Sequence, residues 1–430
     1  MKTIFRYTNI GLLAVAIFAA GAVTTFAQDP CTDAEGQTTS GDKIRELYKD
    51  KSIPGRKTFV EAGKQFTSKY GACDVTKELV TWLGVQIPNN EKKIKEMEEA
   101  EIENKLVTRF DASITAKNWD ETFASGKEIL QKYPEKYRTV EVVLASVGGE
   151  EAFKANYKYI DDAIRYAKVS IDDLESGKSF MVGGKEAIGL FAFSYPNKND
   201  AIGWMNLYIG YMTQAGKKDK AAAAPYLYKA TQSSSDAAKN PVSFEMIGAY
   251  YFDELNKVVE KIQLAAKDQK DTDAPDVAAK KVEDIKALVA MSNGISERAM
   301  DAFSRAFTLA KDAAYKARMK KNVADAYKVR YAKEEGVDAW ITSAVAKPFV
   351  NPTTPVAPIS DPEPTTTTTT GTTGTSVGVP SGTGIGAANG TGIGAANGTG
   401  TGGAKPAATT AKPAPAKPAG AAPIKPSPKK

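Results

Sequence analysis

The side chains able to do chemistry in this chain are defined first by what is missing. Its 430 residues contain no histidine. That removes Ser-His-Asp and Cys-His nucleophilic devices, histidine metal sites and the commonest general base together. Cys31 and Cys73 are the only cysteines, too few for a zinc site. An oxidising compartment permits them to pair, closing a loop worth roughly 4 kcal/mol in the chain-entropy description; two free thiols are the other reading. Gly183-Gly184-Lys185 invites comparison with a phosphate-binding loop, but Ser179 stands where the first glycine is required and Glu186 follows the lysine. The Gly-x-x-x-x-Gly-Lys-Ser/Thr pattern therefore fails. What survives is a carboxylate pair of the kind that cleaves glycosidic bonds, with Glu150-Glu151 after Gly148-Gly149 as the candidates. Acidic residues are this frequent on any solvated helix surface, so no catalytic, cofactor or metal site is expected.

The elements that would have to position such groups are helical. Residues 28–350 are rich in Ala, Lys, Glu and Tyr at helical spacing and lack sustained strand alternation. The pattern predicts helices near 42–50, 56–70, 74–85, 91–115, 118–132, 137–147, 150–171, 201–215, 220–233, 241–268, 275–291 and 295–333. Breaks are expected at Pro54-Gly55, Pro88-Asn89-Asn90, Tyr133-Pro134, Ser176-Gly177, Pro196-Asn197 and Asn293-Gly294. In 118–132, Trp119, Phe123, Ile129 and Leu130 share a face, and in 150–171 Phe153, Tyr157, Ile160, Ile164, Ala167 and Ile171 do the same. The charge-dense stretch 91–106 reads as a solvated outer helix. Residues 177–199 interrupt the rhythm with glycines and with Phe180, Phe191, Phe193 and Tyr195. They read as an irregular connection carrying its own small aromatic core, with a ligand box as the alternative.

Both ends depart from the body. Lys2 and Arg6 precede an uncharged apolar stretch from Ile10 to Val23, and Thr25-Phe26-Ala27 supplies small residues before a cut at Gln28. Residues 1–27 are thus expected to be an export signal, too short in its apolar part to span a bilayer. The mature protein would then be periplasmic or extracellular. From Pro348 the composition turns to Thr, Gly, Ala, Pro and Lys, with a threonine run at 365–370 and a duplicated octapeptide at 383–398. Residues 351–430 are expected to be a disordered tail. Taking out Lys2 and Arg6, and the tail's six lysines, Asp361 and Glu363, leaves 49 basic and 49 acidic residues in 28–350. A neutral body gives no electrostatic case for nucleic acid. The tail lysines, Lys405, Lys412, Lys417, Lys425, Lys429 and Lys430, would make weak contact with anionic envelope polymers.

Two phrases stand out within the body: Trp204-x-x-Leu207-Tyr208-x-x-Tyr211 and Phe244-x-x-Ile247-Gly248-x-x-Tyr251, with Ala299-x-x-x-Phe303-x-x-Ala306 as a complementary third. Together they resemble the tetratricopeptide repeat family, built from helix pairs of about 34 residues. The first helix there carries large-x-x-large-small-x-x-aromatic and the second small-x-x-x-aromatic-x-x-small. Tyr208 stands where the family has a small residue. The resemblance implies an all-α superhelix of helix–turn–helix repeats, for which one continuous array is expected; a different α-α superhelix is the rival. It further implies an inner groove lined by Met205, Ile209 and Met212 in one unit and Glu245, Ala249 and Phe252 in the next. Either that groove accepts an apolar peptide or helices in 275–333 fold back and bury it. The leading functional expectation is a non-enzymatic exported scaffold that binds protein or peptide partners. A structural cell-envelope protein spaced or attached by its tail is the alternative, and a carboxylate-based cell-wall glycan hydrolase the remote one.

Overall fold

Helical spacing is realised throughout the computed structural model, which describes residues 29–361 apart from 183–184. The expected signal segment 1–27, Gly183-Gly184 of the loop-like motif, and the tail from Pro362 onward lie outside the described residues. Within them the chain forms twelve α-helices and one two-residue strand pair, Met181–Val182 against Lys185–Glu186. The fold is all-α, with helices packed in series. Among the described residues no helix is long and apolar enough to cross a membrane.

Contacts divide the chain between Leu106 and Val107 into two compact units, where a single continuous array was expected. The first contains α1 (Ala34–Leu47), α2 (Ile53–Tyr70) and most of α3 (Lys77–Thr115). Its core gathers Ile44, Phe59, Phe66, Tyr70 and Leu83. Cys31 and Cys73 are joined by a disulfide that ties the segment before α1 to the turn after α2. The helix break expected at Pro88 does not occur. Pro88 leaves the Gly84 carbonyl without its usual donor, but Gly84 is exposed. Nearby, Asn90 donates to the Gln86 carbonyl at 2.8 Å and accepts from Arg56 at 2.5 Å, so the buried amide is satisfied.

The second unit holds α4 (Trp119–Lys132), α5 (Arg138–Phe153), α6 (Ile160–Glu175), α7 (Lys198–Tyr211), α8 (Lys220–Gln232), α9 (Pro241–Lys267), α10 (Pro275–Leu309), α11 (Ala313–Tyr331) and α12 (Val337–Ala344). Starts are set by side chains that accept from the first free amides: Asn197 for α7, Asp219 for α8, Asn240 for α9 and Asp312 for α11. Each helix packs on its sequence neighbour, while α5 also meets α7 and α7 also meets α9. Pairs α5–α6, α7–α8 and α9–α10 therefore follow one another with their first helices in one row, an arrangement compatible with a helical repeat.

Several boundaries differ from expectation for local reasons. Gly148 and Gly149 lie inside α5, and the chain turns at Lys154–Tyr159 instead. That turn is pinned by Glu151, whose backbone and side-chain oxygens both accept from Asn156 at 2.9 Å. The expected helix 295–333 is cut at Ala310–Asp312, because Asp312 caps α11 by accepting from the Tyr315 amide at 2.7 Å. Asn293 and Gly294 do not end a helix; α10 runs through them. Residues 177–199 are fastened onto α5: Phe180 is buried, Thr139 accepts from the Gly189 amide at 2.7 Å, and Tyr195 and Ser146 share a hydrogen bond of 2.8 Å.

Candidate peptide-binding surface

The groove residues expected on the repeat's inner face are not open. Met205, Ile209 and Met212 are fully buried, and Ala249 nearly so. The cause is that α7 packs against α5, α6 and α8 at once, so a helix apolar on every side is covered on every side. Glu245 accepts from the Tyr315 hydroxyl at 2.6 Å and is paired with Arg318 of α11. Burial and the Glu245 carboxylate push the Tyr315 phenol well above its ordinary range. Phe252 sits edge-on to Phe303, ring centres 6.1 Å apart. Four of the six are thus buried in the helix stack, while Glu245 and Phe252 are half-buried and engaged by α10 and α11.

The carboxylate candidates are also spoken for. Glu150 accepts from the buried Tyr208 hydroxyl at 2.9 Å. Glu151 accepts from Lys154 at 2.8 Å and from Asn156 at 2.9 Å; burial opposes ionisation, but these bonds hold its carboxyl below the usual value. Tyr208 itself, which replaced a small residue of the repeat pattern, fits because the small residue lies opposite. A Cβ at Gly149 would stand 2.2 Å from the Tyr208 ring. A different acid is the most perturbed carboxyl: burial, then the neighbouring Asp173 charge, push Glu141 up to about 7 against the pull of Arg138. Among the described residues no group of three or more acidic or cysteine side chains is placed to hold a metal ion.

What the surface does hold is a piece of this chain. Beyond α12 the segment Phe349–Asp361 runs without regular secondary structure over α8, α9, α10 and α11. The boundary expected at Asn351 cuts through this strap. The reason lies in five anchors. Arg305 donates to the carbonyls of Ala344 and Lys347, at 3.2 and 2.5 Å, and stacks its guanidinium 5.0 Å from the Phe349 ring. Phe349 also packs on Phe244 and Tyr228, with ring centres 5.0 and 5.9 Å apart. Val356 and the Ala357 carbonyl lie directly on Gly294, where a Cβ would come within 2.2 Å of that oxygen.

Further along, the Ile359 amide donates to the Ala290 carbonyl at 2.8 Å, and the Asn293 amide donates to Ile359 O at 3.0 Å. Asp361 closes the strap by pairing with Arg330 at 2.7 Å. The Arg330 side chain is only 8% exposed and is steadied from behind by Glu297 at 3.2 Å. Pro352, Pro355 and Pro358 have no amide hydrogen, so those three positions leave no donor unsatisfied beside the helix. Arg305 is oriented by Asp301 at 3.0 Å, and burial raises the Asp301 carboxyl to about 6 despite that partner.

Sequence reasoning passed over this site because the strap begins where composition turns Pro- and Thr-rich. One signal was available: Asn293-Gly294 sits between two strong helical patterns, and where such a glycine lies within one helix it often has a packing reason. No family model, curated protein or solved structure matches this chain.

Proposed function

We propose that this chain is an exported, non-enzymatic scaffold that binds protein partners through extended segments laid across its stacked helix pairs. One observation carries the reading: the surface of α8–α11 already holds thirteen consecutive residues of non-helical chain, Phe349–Asp361, by an aromatic seat, two backbone-directed hydrogen bonds and a buried arginine. Such contacts are what extended-peptide recognition uses.

We take the helix stack to be a divergent tetratricopeptide-type array. Supporting this, the pattern positions meet as the family's packing requires. Phe303 of α10 lies against Gly248 of α9, where a Cβ would come within 2.6 Å of the ring. Ala299 and Ala306, one turn to either side, are fully buried.

The test is selection of random-sequence peptides displayed on phage against the purified full chain, both as it stands and with Phe349→Ser and Asp361→Asn to free the surface that the strap covers. Enrichment of peptides that bind with micromolar or better affinity is the expected result. Failure to enrich any peptide, together with glycan cleavage that vanishes in Glu150→Gln or Glu151→Gln, would overturn the reading in favour of catalysis.

A further inference from the structure

The seat beneath the strap is built from residues of four helices. Gly294, Asn293 and Ala290 belong to α10, Arg330 to α11, Phe244 to α9 and Tyr228 to α8. The three nearest neighbours of a Cβ placed at Gly294 are strap atoms. The glycine therefore makes room for the extended backbone that passes over α10. The strap, by contrast, is held at separated points. Thr353, Thr354, Pro355, Ala357, Pro358 and Ser360 are exposed, between a half-buried Phe349, Val356 and Ile359. Segments with few buried apolar contacts open at low free-energy cost.

We infer that the strap is a resident competitor, and that the seat's other occupant is an extended segment of a partner protein with the same chemistry. That segment carries an aromatic residue to stack between Phe244 and Arg305. A proline-containing spacer follows, small where it crosses Gly294, and then a carboxylate twelve residues after the aromatic to reach Arg330. The inference rests on the scaffold reading above and gives it a site and a partner class. It also makes the site self-regulated: an intramolecular occupant acts at an effective concentration near the millimolar range, so partners bind well only after the strap lets go. The seat is formed largely by second helices of the pairs, α8 and α10, and not by the first-helix groove that the repeat pattern implies.

The experiment uses the full chain and a dye-labelled synthetic peptide of residues 346–361, with binding read by fluorescence anisotropy. Phe349→Ser with Asp361→Asn in the chain removes two strap anchors and leaves the seat intact; Asp361→Asn alone is the milder release. Wild-type chain should bind the peptide weakly, and the doubly substituted chain at least tenfold more tightly. Binding should vanish when the peptide's own phenylalanine is replaced by serine. Gly294→Ala, added to the released chain, should abolish binding while leaving the melt cooperative, since the three atoms nearest the new methyl, out to 3.3 Å, all belong to the strap.

Equal affinity of wild-type and released chains, or peptide binding that survives Gly294→Ala, overturns the inference. In either case enrichment in the phage selection still stands for the scaffold reading. No enrichment alongside strap-peptide binding would instead overturn that reading and confine the seat to its own strap.

Discussion

Gly149→Ala is the substitution whose effect the packing dictates most directly. A Cβ there would lie 2.2, 2.3 and 2.8 Å from three carbons of the Tyr208 ring. Carbon atoms pack at about 3.5–4.0 Å, so the ring would have to retreat by roughly 1.5 Å. It has little room. Tyr208 is 3% exposed, its ring centre is 5.7 Å from those of both Phe153 and Trp204, and its hydroxyl is tied to Glu150 at 2.9 Å.

Overpacking of this kind costs about 1–3 kcal/mol. Losing a hydrogen bond to a charged acceptor adds about 1.5–3 kcal/mol, and replacing a helix-interior glycine by alanine returns about 1 kcal/mol. The net expectation is a loss of about 1.5–5 kcal/mol, read as a lower urea midpoint in the transition of the 107–361 unit. With Tyr208→Leu in the background, Gly149→Ala should become neutral or stabilising, a coupling of about 2 kcal/mol or more. A Gly149→Ala protein as stable as the parent would refute the claim that α5 and α7 are in contact through this glycine.

Three further outcomes are expected. Glu141 keeps its proton to about pH 7 in the folded chain but loses it near 4.5 when unfolded, so the folded state binds more protons in that window and stability falls as pH rises through it. Glu141→Gln should therefore do little at pH 4 and, after discounting for partial solvent access, raise stability by about 1–2 kcal/mol at pH 8; urea melts at the two pH values check this. Met205→Glu with Met212→Glu puts two charges into fully buried positions and should lower stability by several kcal/mol, whereas an open groove would leave the melt unchanged. Reduction of Cys31–Cys73, which closes a separation of 42 residues, should cost the first unit about 4 kcal/mol; thermal melts with and without reductant measure it.

The helical character and most helix starts were legible because they depend on local rules. Asp219 and Asn240 stand just before the expected starts at 220 and 241, Asn197 lies at an expected break, and apolar spacing shows through α4 and α6; Asp312, inside an unbroken helical pattern, was not legible as a cap. What could not be read were facts set by a neighbouring element. Tyr208 looked like a flaw in the repeat pattern until Gly149, on another helix, supplied the space. Met205 and Met212 could be an open groove or buried core, because the repeat pattern identifies a face but not whether a second row of helices covers it. Pro88 looked like a stop, yet its helix carries on past an exposed Gly84. The strap escaped for a similar reason: Pro- and Thr-rich chain has no periodicity of its own, and its order comes from Arg305, Asn293 and Arg330, residues far away in sequence.

Helix-interior glycines differ in what lies against them. A glycine inside a helix costs about 1 kcal/mol relative to alanine; Gly84 of α3 has no neighbour that a methyl would displace, but three others do. At Gly149 that is the Tyr208 ring and at Gly248 the Phe303 ring, both inside the helix stack. At Gly294 it is the carbonyl of Ala357 and the side chain of Val356, which belong to no helix. The body alone would gain from alanine there, by helix propensity and without a clash. Gly294→Ala by itself should thus stabilise α10 while ejecting the strap. The measurable pair of effects is slower hydrogen exchange in α10 and faster proteolysis within 349–361. Faster exchange in α10 together with an unchanged strap would mean that the glycine serves the helix and not the segment lying on it.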